Sequence, residues 1–183
     1  TGGFGELGQS WAQPILGTVN ISGSLVDVLY ISGGYDEDQD NASIRTTDDL
    51  GRAVYIVHAA TGTLLWKAGP GAGFDLDLPD MQYSIPATLS VADVDNSGTD
   101  DMIFVGDMGG QVWRFDIRNG NPASSLVTGG VVADLGVAGG TNVALDNRRF
   151  YHSPDVSLLF ENQQQKVVVS IGSGYRAHPL AEQ

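Results

Sequence analysis

The run Asp93-Val94-Asp95-Asn96-Ser97-Gly98-Thr99-Asp100-Asp101 places oxygen-bearing side chains at its first, third, fifth and ninth residues and glycine at its sixth. Alternate residues of a short, tightly curled loop point at one centre. Hard oxygen donors at that spacing are what a calcium ion requires. In this reading Asp93, Asp95, Ser97 and Asp101 supply side-chain oxygens, Thr99 supplies its backbone carbonyl, and water completes the shell. Gly98 takes the sharp turn because it tolerates positive φ. The alternative, a solvated acidic hairpin tip, leaves carboxylates crowded without a counter-charge, where they repel one another. The loop is not an EF-hand: that motif ends in a bidentate acid at its twelfth position, and Phe104 stands there.

The flanks of the loop are strand-like. Ala87-Thr88-Leu89-Ser90-Val91 precedes it and Met102-Ile103-Phe104-Val105 follows, bounded by Pro86 and Gly106. β-branched and aromatic runs between such breakers predict strands, so the loop is expected to join two antiparallel strands.

A second acidic run, Asp36-Glu37-Asp38-Gln39-Asp40-Asn41, also carries carboxylates at alternate positions, but it has no glycine at its sixth residue and Ile44 at its ninth. It reads as a solvated acidic loop rather than a second cation site. Trp66, Trp113 and Phe115 fall on expected strands and read as packing between sheets rather than a ligand platform. His58, at a strand end, reads as structural. The turn Gly174-Tyr175-Arg176-Ala177-His178-Pro179 gathers a cation, an aromatic ring and a histidine, and its residues fit a functional surface and a tyrosine-anchored turn equally. Catalysis finds little support: there is no G-x-S-x-G elbow and no H-E-x-x-H helix, and the tightest carboxylate cluster is better explained by calcium than by acid–base work. The expectation is a protein that is not an enzyme.

Composition sets the frame. Among 183 residues there are 22 acidic and 9 basic side chains, a formal charge of −13. That balance argues against nucleic acid and against insertion into or binding on anionic membranes, which call for basic patches, and it suits a cation-binding protein. No cysteine is present, which removes disulfides and thiolate metal sites. No apolar run approaches the ~18 residues of a membrane span. Thr1-Gly2-Gly3-Phe4-Gly5 reads as loop rather than signal peptide, so export implies a leader upstream. With 42% hydrophobic residues and 25 glycines, short apolar runs and many turns predict an all-β protein.

The chain also repeats. Trp11-Ala12-Gln13-Pro14, Tyr83-Ser84-Ile85-Pro86 and Tyr151-His152-Ser153-Pro154 each join an aromatic residue, two spacers and a proline to an expected strand, proline being tolerated where a strand begins. Second strands recur at Val26–Ile31, Met102–Val105 and Lys166–Ile171, and third strands at Ala53–His58 and Gln111–Asp116. Thr63–Lys67 adds a fourth. Four short antiparallel strands per repeat is the pattern of a propeller blade. The prolines recur about every 70 residues, longer than the ~40–50 of compact blades, so insertions are expected at Asp36–Leu50 and Gly69–Met81, and a distorted fourth strand plus loop within Asn119–Asn147. The expected fold is a modified, insertion-bearing β-propeller with about two and a half blades present: blade 1 about 11–70, blade 2 about 83–136 and a partial blade 3 about 151–178. A twisted β-sandwich is the competing arrangement.

With these segments in view, the chain resembles the PilY family, large proteins of type IV pilus biogenesis and the pilus tip in Gram-negative bacteria. The resemblance rests on Ser32-Gly33-Gly34-Tyr35-Asp36, on Ala53-Val54-Tyr55-Ile56-Val57 with Thr61-Gly62, on Tyr83-Ser84-Ile85-Pro86 and on the Asp93–Asp101 loop. It extends to Val105-Gly106-Asp107 with Gly109-Gly110-Gln111-Val112-Trp113-Arg114-Phe115-Asp116, and to Ile171-Gly172-Ser173-Gly174-Tyr175-Arg176-Ala177-His178-Pro179. It implies a C-terminal modified propeller in which bound Ca2+ controls pilus extension against retraction, and with it twitching motility and surface attachment. The implied ligands fall on Asp93, Asp95, Ser97, Thr99 and Asp101. The implied partners are pilus components or the pilus machinery, with host surfaces engaged by regions outside this chain. The implied location is the cell surface and pilus tip, reached through the periplasm.

Two departures stand out. Ser97 occupies a loop position where the family often has Asp or Asn, and a neutral donor weakens calcium binding by lowering the charge of the site. His58 stands where an aspartate is common before the A-x-T-G turn. The family's long N-terminal region, often with a von Willebrand-type adhesion domain, has no counterpart here. A second resemblance, of Val54–Lys67 to the repeat of quinoprotein dehydrogenases and outer-membrane assembly scaffolds, covers one repeat and gives the alternative function.

Overall fold

The computed structural model describes residues 2–136, 147–174 and 176. Apart from two single-turn 3-10 helices at Glu37–Asp40 and Ala123–Ser125, its regular elements are strands. They form three successive sheets. The first holds β1 (Ile15–Ile21), β2 (Ser24–Ser32), β3 (Val54–His58), β4 (Leu64–Gly69) and the two-residue β5 (Leu76–Asp77) in that spatial order. The second holds β6 (Ser90–Ala92), β7 (Met102–Gly106), β8 (Gln111–Ile117) and β9 (Val127–Asp134), again in chain order. The third is the hairpin β10 (Asp155–Glu161) and β11 (Gln164–Ser170). Every pairing is antiparallel except β4 with β5.

Burial explains the patterning. In β3 the run Val54-Tyr55-Ile56-Val57 is buried on both faces. Val54 and Ile56 enter the main core, while Tyr55 and Val57 enter a second cluster with Phe4, Leu7, Leu64 and Phe74. A strand covered on both faces reads as a continuous apolar run rather than an alternation. The main core joins the first two sheets: Trp66 of β4 meets Phe115 of β8 edge-on at 6.1 Å and 78°. That arrangement sets the positive ring edge against the negative face, and it places these aromatics in packing between sheets, as expected from sequence.

Two local expectations differ from the structure. The strand before the acidic loop is only Ser90–Ala92, because Ile85 pairs instead with Gly34 of the first sheet and Ala87 and Leu89 pack into the shared core. Pro86 therefore precedes a crossing segment, whereas Pro14 and Pro154 do stand immediately before strands. The run Asp36–Asp40 is a capped 3-10 turn rather than an irregular loop, with Glu37, Asp38 and Asp40 exposed as expected. Buried Asp36 caps the 3-10 helix, accepting from Asp38 N at 3.1 Å and from Asp49 N and Leu50 N at 2.9 Å each. The fourth strand expected within Asn119–Asn147 is present as Val127–Asp134, with a register shift against β8 between Val112 and Trp113.

Candidate metal centre

The Asp93–Asp101 loop connects β6 to β7, whose register pairs Ser90 with Phe104, Val91 with Ile103 and Ala92 with Met102. Asn96 at φ 60° and Gly98 at φ 86° turn the chain. Asparagine and glycine are the residues that take this left-handed backbone at least cost. The curl aims the loop's own amides at its carboxylates. Asp93 accepts from Ser97 N at 3.1 Å and Gly98 N at 2.8 Å, and Asp95 accepts from Ser97 N at 2.9 Å. Asp101 accepts from Val94 N at 2.8 Å and Asp95 N at 3.4 Å. The Gly98 amide, ahead of the other loop amides, holds the Asp93 carboxyl below its ordinary range.

The result is a convergence of charge. One carboxylate oxygen each from Asp93, Asp95 and Asp101 lies within 4.8 Å of the others. Two oxygens bound to one calcium ion at ~2.4 Å stand no more than ~4.8 Å apart, so the three fit a shared ion of that size. Each carboxylate has about four lone-pair directions, leaving capacity beyond the amide bonds. The donor set is all oxygen, which suits calcium rather than zinc or copper. Ser97 Oγ lies 2.9 Å from Thr99 Oγ1, so these two hydroxyls face each other beside the carboxylates.

Asp100, silent in the sequence reading, fixes the loop to its surroundings. Its Oδ2 accepts from the Tyr30 hydroxyl at 2.8 Å and from Thr18 N at 2.9 Å, both in the first sheet. Its amide donates to Thr18 O at 2.9 Å. A Cβ on Gly17 would meet Asp100 Oδ2 at 2.0 Å, so glycine is required for this approach. Burial pushes the Asp100 carboxyl up, against the opposing pull of Tyr30 and Thr18. On the other side Gln165 of β11 donates its Nε2 to Val94 O at 2.8 Å, while Asp101 N and O bond Ala92 and Ile117 within the second sheet. The loop is thus hydrogen-bonded to all three sheets. Only sequence neighbours of the ligands were legible beforehand; the partners of Asp100 are 70 and 82 residues away.

His58 and Asp107 have structural roles. His58 accepts from Ala60 N at its Nδ1, 3.2 Å away, and shapes the turn after β3. Asp107 is fully buried and accepts from Gly109 N, Gln111 N and Trp113 Nε1 at 2.8–2.9 Å. One side chain thereby explains the spacing of the Gly106–Trp113 string. Of the Gly174–Pro179 turn, Tyr175 and the residues from Ala177 onward lie outside the described residues. Among the described residues no helix is long and apolar enough to cross a membrane.

Comparison with known proteins gives a consistent picture. No family model matches the chain. A type IV pilus biogenesis factor PilY1 homolog of Xylella fastidiosa is 38% identical over 76 residues, 39% of this chain and 5% of that protein. The crystal structure of the Pseudomonas aeruginosa PilY1 C-terminal domain superposes with a TM-score of 0.57 at 19% identity, covering 93% of this chain and 34% of that one. The chain therefore spans a small part of the curated relative and about a third of the solved domain. The shared fold is a modified β-propeller, of which the three sheets here form an unclosed part. Matching sequence over one segment and matching fold over nearly the whole chain together bear out its resemblance to the C-terminal domain of the PilY family.

Proposed function

We propose that this chain is a calcium-responsive propeller segment of a type IV pilus biogenesis protein, acting by binding rather than by catalysis. The observation that carries the reading is the Asp93–Asp95–Asp101 convergence in a loop hydrogen-bonded to three sheets. Calcium, when bound, supplies the positive charge that lets the three carboxylates stay close. Asp93, Asp95, Ser97 and Asp101 hold it by side-chain oxygens and Thr99 by its carbonyl.

The protein's own residues do the rest. Gly98 and Asn96 set the curl, and the amides of Val94, Ser97 and Gly98 orient the carboxylates before any ion arrives. Asp100 and Gln165 couple the position of the loop to β1, β2 and β11. Metal shifts an equilibrium between two arrangements only by its difference in affinity for them. A loop tied to several sheets is a place where such a difference biases a contact surface with pilus components or the pilus machinery. Location at the cell surface and pilus tip, reached through the periplasm, and a role in extension against retraction, twitching and surface attachment belong to the same proposal.

The test is made in cells. The full-length protein carrying Asp101→Ala, present at parental level, is expected to alter surface piliation and twitching, and the parent is expected to lose the same response on calcium depletion. Parental piliation and twitching in the variant would contradict the reading.

A further inference from the structure

Away from the acidic loop, two open pockets share one wall. The first, about 400 Å³, is lined by Trp11, Tyr35, Tyr151, Asp40 and Arg176. Its rings form a continuous surface: Trp11 and Tyr35 centroids are 5.1 Å apart, and Tyr35 and Tyr151 centroids 6.1 Å apart. The Tyr35 hydroxyl donates to Asp40 Oδ1 at 2.6 Å, which fixes the middle ring. Trp11 is 55% exposed, unusual for so large an apolar surface beside two other rings. The second pocket, about 390 Å³, also has Tyr35 in its lining, together with Gln9, Asp36, Glu37, Asp38, Asp49 and Leu50. Glu37, Asp38 and Asp49 are exposed, and no basic residue lines that pocket.

The geometry points to a bipartite docking groove for an extended peptide segment of a partner, with an apolar side chain seated among Trp11, Tyr35 and Tyr151 and a lysine or arginine two residues away facing Glu37, Asp38 and Asp49. Charge fixes this order. Arg176 already brings a cation to the aromatic pocket, whereas the neighbouring pocket carries acidic side chains alone among its charged residues. In an extended chain the side chains at i and i+2 project to one face, about 6.5–7 Å apart, which suits two adjoining pockets that share Tyr35. Strand addition is not the mode. Gln9 N and O are both bonded to Tyr35, at 2.8 and 2.9 Å, so the local backbone is engaged and recognition falls to side chains. The groove uses none of the calcium-loop residues and stands whether or not that loop binds metal.

The protein carries its own reporter. Trp66 and Trp113 are buried, so the exposed Trp11 dominates the response of tryptophan fluorescence to a bound peptide. Titration with the capped peptide Lys-Ser-Leu-Ser-Lys is expected to change that fluorescence saturably, and the change is expected to weaken with salt. The Glu-Ser-Leu-Ser-Glu and Lys-Ser-Ser-Ser-Lys peptides are expected to bind at least tenfold more weakly. By calorimetry, Glu37→Gln/Asp38→Asn/Asp49→Asn and, separately, Trp11→Ala are each expected to lower affinity for the first peptide at least tenfold, with circular dichroism unchanged. Equal binding of the glutamate peptide, parental affinity in either folded variant, or no saturable binding of the lysine peptide would overturn the proposal.

Discussion

The Tyr30 hydroxyl donates to the Asp100 carboxylate at 2.8 Å across the seam between the first and second sheets. Tyr30 lies in the core of the first sheet and Asp100 belongs to the candidate metal loop, so this bond fixes a functional segment to the scaffold. Hydrogen bonds to charged groups contribute about 1.5–3 kcal/mol net. Tyr30→Phe is expected to lower unfolding free energy by about 1–2 kcal/mol in denaturant titration and to loosen calcium binding as well. An unchanged midpoint and unchanged calcium affinity would show that the bond does neither.

Gly98 tests the conformation of the loop separately from its charge. A Cβ at this position meets nothing within 4 Å, but the backbone sits at φ +86°. Alanine there is strained by about 1 kcal/mol. Gly98→Ala is therefore expected to lower the unfolding free energy by about 1 kcal/mol with or without calcium, while calcium affinity changes less than about twofold, because the curl is already present without the ion.

Ser97 tests charge. Replacing the neutral hydroxyl donor by a carboxylate raises the charge of the site, and ligand charge count is a main determinant of calcium affinity. Ser97→Asp is expected to tighten calcium binding and, in its absence, to destabilise the loop through added repulsion. Weaker calcium binding in this variant would place Ser97 outside the ligand set.

Asp107 predicts a pH dependence. Burial pushes its carboxyl from 3.8 up to about 7, against the hydrogen bonds of Trp113 and Gln111. A carboxyl that holds its proton more tightly when folded favours the folded state at low pH. That contribution is lost as pH rises from 3.8 through about 7, the window in which the folded protein binds more protons than the unfolded one. Burial shifts Asp48 and Asp100 the same way. The metal-free thermal midpoint is expected to fall across this window, and Asp107→Asn, though less stable overall with three donors facing one acceptor oxygen, is expected to show a shallower fall. Equal slopes in parent and variant would contradict the role of Asp107.

Much of this architecture was legible because its signals are local. The buried run at β3 and the string from Gln111 to Asp116 carry their own strand patterns, and the Asp93–Asp101 spacing shows its curl without reference to distant residues. What stayed hidden depends on contacts remote in sequence. β6 is short because Ile85 is drawn to Gly34. β5 pairs in parallel with β4 after a glycine-rich excursion that has no strand pattern. Asp36 looked like a member of an acidic cluster, and its role as a cap appears only when Asp49 and Leu50 return their amides to it. Asp100 looked like one more loop carboxylate until Thr18 and Tyr30 were placed beside it.

Calorimetric titration of calcium into the metal-stripped chain, with Asp101→Ala alongside, decides whether the Asp93–Asp101 loop is a calcium site. One site is expected in the parent, lost in the variant while circular dichroism is unchanged. Parental binding in Asp101→Ala, or no binding in a folded parent, would contradict it.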